Sequence, residues 1–183
     1  LGEKDEENAR SILGHVALVN TVNGTLLGVV TLFFLEPVLK LFGASETLLP
    51  YASDFLSVYM IGIPVGFVFI GLNNIMRVTG YPKKAMLSSF LTVAVNVLLA
   101  PIFIFVLGWG MKGTALATVL SQLAGLVWVL MHFFNKNSLI RFEIKGFKLS
   151  GKTVVNMMAI GVSPFLMNLT SSLVVSIINF GLM

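Results

Sequence analysis

KKAMLSSFLTVAVNVLLAPIFIFVLGWGMKG, residues 83–113, is the stretch whose reading decides the fold. No Asp, Glu, Lys or Arg stands between Lys84 and Lys112. About 20 apolar residues suffice to cross the ~30 Å hydrocarbon core of a bilayer, so the stretch predicts a transmembrane helix. Inside it sit Asn96 and Pro101. A buried amide must find hydrogen-bond partners, and a mid-helix proline removes a backbone donor and bends the helix. A helix that only anchored the chain in lipid would need neither, so the pair predicts a helix lining something polar.

Working outward, the same pattern recurs on both sides. After the charged loop LGEKDEENAR (1–10), no Asp, Glu, Lys or Arg occurs until Glu36, which places a first span at 15–35. A polar turn, LKLFGASETLLP (39–50), follows; Ser45 and Thr47 are candidate N-caps and Pro50 suits a first helical turn, launching a second span at 50–76. RVTGYPKK (77–84) is a basic turn punctuated by Gly80 and Pro82. The opening stretch is the third span, closed by a turn at Gly108, Gly110 and Gly113, and the fourth occupies 113–134. NKNSLIRFEIKGFKLSGK (135–152) is the long polar connection and predicts a boundary between two bundles. The last span, 153–183, is uncharged and interrupted by Gly161 and Pro164. The fold class is therefore all-α, a polytopic membrane helical bundle.

Composition agrees. The chain is 56% hydrophobic and 11% charged with a mean hydropathy of +0.93, whereas a soluble domain carries about 25% charged residues. A water-facing surface could not be covered. The net charge of +4 does not indicate nucleic acid, because the basic residues are confined to loops between apolar blocks. There is no cysteine, which excludes disulfides and thiolate ligands. The chain begins at Leu1 without a basic leader and its last apolar block runs to Met183, which predicts an internal segment of a longer protein.

Five spans put successive loops on alternate faces, so the basic residues can be counted by side. Lys4, Arg10, Arg77, Lys83, Lys84, Lys136, Arg141, Lys145, Lys148 and Lys152 collect on one face, and Lys40 and Lys112 on the other. Cytoplasmic loops retain Lys and Arg, so the Leu1 end is expected in the cytoplasm. Tyr51 and Trp109 then fall near the outer interface and Tyr81 near the inner one, as amphipathic rings should.

Two glycine pairs, Gly24 with Gly28 and Gly62 with Gly66, and a small-residue stripe of Ala117, Ser121 and Gly125 predict close helix packing. Polar residues within the spans carry more information: Asn20 and Asn23 on the first, Asn96 on the third, Gln122 on the fourth, and Asn156, Asn168, Ser171 and Ser172 on the last. Each either bonds a neighbouring helix or faces a polar pathway, and residue type alone leaves both open. Glu36 and Asp54 approach the membrane near the outer ends of their helices, as interfacial groups or as a cation site. His15 and His132 are expected at the cytoplasmic interface. No nucleophile, base and orienter assemble, and neither a phosphate loop nor a metal signature occurs, so nothing supports an enzyme. Pro101 and Pro164 are expected to kink their helices, as static bends or as hinges around a solute site.

Several of these pieces, in order, resemble the multidrug and toxic compound extrusion (MATE) transporters: LGEKDEENAR (1–10), RVTGYPKKAM (77–86), NVLLAPIFIF (96–105), GWGMKGTALATVLSQ (108–122) and GVSPFLMN (161–168). The resemblance implies twelve helices in two six-helix bundles. Residues 1–135 would then hold the third to sixth helices, 136–152 a cytoplasmic linker, and 153–183 the first helix of the second bundle. It also implies a multi-pass protein of the cell membrane that expels amphipathic organic cations and other xenobiotics by alternating access, driven by Na+ or H+ and without a further cofactor. Asn96 would help bind the coupling ion, Asn168 and Ser172 would face the cavity between bundles, and Asn20 and Asn23 are further candidates. The expected partners are a small-molecule substrate and the lipid bilayer; oligomeric state is left open. The alternative within the superfamily, a flippase for a lipid-linked sugar, would be expected to show cationic residues lining the cavity, and none lies mid-span.

The chain departs from the family pattern twice. Many members carry Asp immediately before the proline of the third span here, where this chain has Ala100. Some sodium-coupled members carry a glutamate about two turns after the proline of the last span here, where this chain has Ser171 and Ser172. Of the first motif only Asn96 carries over.

Overall fold

The structure, a computed structural model, describes residues 6–135 and 150–181. Among them, five helices are long and apolar enough to cross a membrane. Helix α1 spans Glu6–Phe33, α2 Leu35–Leu41, α3 Leu49–Val78, α4 Pro82–Pro101, α5 Gly110–Phe134 and α6 Gly151–Gly181.

The differences from the expected boundaries have local causes. Helix α1 begins within the charged loop, because charge marks where the membrane begins and Glu, Asn and Arg are compatible with an exposed helical turn; only Ile12–Phe33 is apolar enough to span. The turn at 39–50 is shorter than expected, since α2 occupies its first residues. Ser45 and Thr47 do not cap α3 with their side chains. Their hydroxyls pair with each other at 3.0 Å, while the Ser45 carbonyl accepts from the amides of Leu48 and Leu49. Pro50 does sit in the first turn of α3.

The stretch 83–113 is not one helix. Pro101 lacks the amide that would bond four residues back, and beyond it the chain passes into a π-helical turn, Ile102–Val106, where Leu107 N–H donates to Ile102 O at 3.0 Å. Gly108 and Gly110 take positive φ of 69° and 53° to reverse the chain. Gly113, expected in that turn, lies inside α5. Helix α6 runs unbroken through Gly161 and Pro164, so the expected interruption is absent.

Helix α3 packs between α1 and α5, and α4 closes onto α5 and, near its own start, onto α3. The glycine pairs make this possible. A Cβ on Gly24 would lie 2.7 Å from Pro64 Cα, and one on Gly28 would lie 2.5 Å from Met60 O. Pro64 has no amide to bond Met60 O, so the freed carbonyl sits against the bare Gly28 backbone of α1. Gly62 and Gly66 face Val119 and Gln122 of α5, and Gly125 of the small-residue stripe faces Phe69 and Thr92.

The apolar core gathers at one end of this assembly: Leu13 of α1, Phe69, Leu72 and Met76 of α3, Ala85 of α4, and Val129 and Phe133 of α5. His15 and His132 are buried here at 0% and 9% exposure, not interfacial as expected. Helix packing claims their ring faces: His132 meets Tyr81 edge-on with ring centroids 4.5 Å apart. His15 Nε2 accepts from the Ser150 amide at 2.9 Å, tying the start of α6 to α1. The linker expected at 136–152 lies, apart from 150–152, outside the described residues.

Candidate functional site

Helix α5 presents Thr114, Thr118 and Gln122 at i, i+4 spacing, so the three fall along one stripe. Thr118 faces α4, where its Oγ1 accepts from Asn96 Nδ2 at 3.2 Å and donates to Thr114 O at 2.9 Å. One turn further, Gln122 faces α3: Nε2 donates to Tyr59 OH at 3.4 Å. Gln122 Oε1 is buried against Gly66 without a hydrogen-bond partner. Tyr59, Asn96, Thr118 and Gln122 thus bring hydroxyl and amide groups from three helices onto one face of α5.

The proline motif places this seam. At about 1.5 Å per residue, Asn96 stands roughly 20 Å along α4 from Pro82, inside the span and one turn before the π-turn. Neither Pro101 nor any residue of that turn is buried. Ala100, one turn from Asn96, brings no charge to the seam. The seam therefore offers neutral oxygens, Asn96 Oδ1 and Gln122 Oε1 among them, which can accept hydrogen bonds or approach a hard cation. Among the described residues, no group of three His, Cys, Asp or Glu side chains could hold a metal ion.

The other residues singled out from sequence are not brought to Asn96. Asn20 Nδ2 donates to Val16 O at 2.9 Å within α1 and packs on Gly71 of α3. Asn23 is exposed. Asn168 and Ser172 are exposed on α6, where Asn168 Nδ2 donates to Pro164 O at 2.9 Å. Glu36 and Asp54 meet lysines: Glu36 Oε2 is 3.9 Å from Lys40 and Asp54 Oδ1 is 3.3 Å from Lys112.

Three residues of these networks carry no signal in the sequence alone. Asn73 Nδ2 donates to Ala85 O at 3.0 Å and to Ser88 Oγ at 2.5 Å, and Asn73 Oδ1 accepts from Arg77 Nε at 3.1 Å. Lying near the end of its span, it reads as part of the adjoining basic turn. Tyr59 and Thr118 are hidden because a lone tyrosine or threonine in an apolar helix carries no pattern of its own.

The MatE family matches residues 1–102, more than half of the chain. The chain belongs to the MatE family. The multidrug export protein MepA of Staphylococcus haemolyticus (strain JCSC1435) is 29% identical over 167 residues, covering 91% of this chain and 37% of that protein. MepA of Staphylococcus aureus (strain NCTC 8325 / PS 47) is 28% identical over 174 residues, covering 92% and 38%. The solved structure of the MATE multidrug transporter DinF-BH, a complex with a bound substrate, matches with a TM-score of 0.88 at 30% identity, over 97% of this chain and 40% of that one. The chain thus spans less than two fifths of the curated relatives it matches. MatE relatives are named as exporters and transporters, so this is a transporter family and not an enzyme family. The chain is part of a multi-pass membrane protein, all-helical as its composition requires.

Proposed function

We propose that the protein containing this chain is a cation-coupled multidrug efflux antiporter, exporting amphipathic organic cations or other xenobiotics by alternating access in exchange for Na+ or H+. The observation that carries the reading is the Asn96–Thr118 pair at 3.2 Å beside the Pro101 π-turn. It sets a polar, uncharged seam next to an irregular helix, where a solute or ion site in a transporter is expected. The names of the MepA relatives and the substrate-bound DinF-BH neighbour support the substrate class.

Within this reading residues 1–135 are the third to sixth helices of a twelve-helix protein, 136–152 the linker between bundles, and 153–183 the seventh helix. Asn96 contributes to the coupling-ion pocket, with Asn20 and Asn23 as further candidates on α1. Asn168 and Ser172 of α6 face the cavity that the second bundle completes. Pro101 and Pro164 serve as bends around the pathway. The Leu1 end is cytoplasmic on the strength of the basic residues it shares a face with.

The test is uptake of a fluorescent organic cation by proteoliposomes containing the full-length protein, under a sodium gradient, a proton gradient or neither. Uptake driven by one gradient establishes antiport and names the ion. Uptake independent of both overturns the coupling, and no uptake with transport of a labelled lipid-linked sugar would favour the flippase. Alanine at Asn96, Asn168 and Ser172 together should abolish coupled uptake; unchanged uptake would remove the site assignments.

A further inference from the structure

The turn between α3 and α4 carries Arg77, Lys83 and Lys84, and none of them meets a carboxylate among the described residues. The ion pairs found there, Glu36–Lys40 and Asp54–Lys112, lie at the opposite ends of the helices. The turn is tightly closed: Tyr81 N–H donates to Met76 O at 3.1 Å, Thr79 Oγ1 to Met76 O at 3.1 Å, and Gly80 takes a φ of 92°. It joins the apolar spans Leu49–Val78 and Pro82–Val106, which sets it at the level of the lipid head groups.

Two of the cations are supported from beneath by neutral groups. Arg77 Nε donates to Asn73 Oδ1, and Asn73 is itself held by Ala85 O and Ser88 Oγ. Lys84 Nζ stands 4.9 Å from the Tyr81 ring centroid and 3.4 Å from His132 Nδ1. Amide and aromatic supports position a cation without cancelling its charge. Lys83 is exposed and makes no hydrogen bond or ion pair among the described residues. Charge that served only to orient the chain would require no such scaffold, because orientation depends on the number of basic residues in a loop and not on their geometry.

We propose that this turn binds the phosphodiester head group of an anionic phospholipid, phosphatidylglycerol being the simplest. The Arg77 terminal nitrogens supply paired donors, Lys83 and Lys84 supply point charges, and Asn73 and Tyr81 are positioning residues. The site is distinct from the α4–α5 seam and does not depend on the transport reading.

The test uses the full-length protein in neutral detergent, with binding of phosphatidylglycerol and of phosphatidylcholine of equal chain length measured by native mass spectrometry. Phosphatidylglycerol is expected to bind the unaltered protein more tightly. The double variant K83Q/K84Q should weaken that binding on the order of tenfold. K83R/K84R should restore it, and K40Q/K112Q, an equal change of net charge at the other end, should leave it unchanged. Equal affinity for the two lipids, full phosphatidylglycerol binding by K83Q/K84Q, or an equal loss in K40Q/K112Q would each overturn the site. Competition by millimolar inorganic phosphate would reassign it to a free anion and overturn the lipid. Should K83Q/K84Q shift the thermal unfolding transition, R77Q is read by the same criteria.

Discussion

Asn73 and Asn96 are the same residue type in the same kind of helix, and both reach across to a neighbouring helix. Their surroundings differ. Asn73 is 4% exposed, its amide hydrogens go to Ala85 O and Ser88 Oγ, and its carbonyl accepts from Arg77. Leu72, Met76, Ala85 and Phe133 of the core pack around it. Asn96 is only half-buried and makes one bond, to Thr118 at 3.2 Å. Beyond Ser88, α4 buries no residue, and the π-turn that follows buries none. A side chain whose hydrogen-bonding capacity is exhausted can act only as a strut; one with a carbonyl to spare can bind something else. Saturation and burial, not residue type, separate the two roles.

The largest expected effect is on the strut. Asn73→Ala leaves buried partners unsatisfied and should cost about 1–3 kcal/mol in unfolding of the full-length protein, with transport per folded molecule unchanged. The site should respond in the opposite manner. Asn96→Ala should lower gradient-driven uptake about tenfold while moving unfolding by only about 0.6 kcal/mol, the average for a hydrogen bond between membrane helices. If Asn96→Ala destabilised the protein as much as Asn73→Ala and spared uptake, both asparagines would be struts and the comparison would collapse. Thr118→Val removes the hydroxyl that orients Asn96 and keeps the shape. Losing one such bond, worth about 0.6 kcal/mol, corresponds to roughly a threefold drop in uptake, measurable as an initial rate.

The same contrast explains what is legible in the sequence. Apolar runs as long as 83–113 show the spans directly, because the bilayer imposes a length on them, and the glycine pairs show where α1, α3 and α5 approach. Asn96 stands out since it is an amide between Lys84 and Lys112, where nothing is charged. Its partner Thr118 does not, because the pairing joins residues 22 apart across two helices and depends on how α4 rotates against α5. The burial of His15 and His132 is likewise invisible: a histidine near the end of an apolar run reads as interfacial unless its neighbours are known. Pro101 announces a bend, but which backbone bond lengthens into the π-turn depends on the packing of Phe103 against Gly113.

The smallest expected effect concerns the carboxylate at the far end. Asp54 lies 3.3 Å from Lys112, with the two side chains 52% and 58% exposed. Exposed pairs of this kind are worth ~0–1 kcal/mol, because water screens the attraction and two long side chains must be held in one geometry. Asp54→Asn should therefore shift unfolding by about 0.5 kcal/mol or less and leave uptake as it was. That null result would sharpen the contrast, since it would show that coupling does not run through a charge at the helix ends. A loss of uptake matching that of Asn96→Ala would have the reverse meaning. The pairing with Lys112 would then be a resting contact that the coupling cation displaces, and the ion's path would begin at the Asp54 end of α3 instead of at the α4–α5 seam.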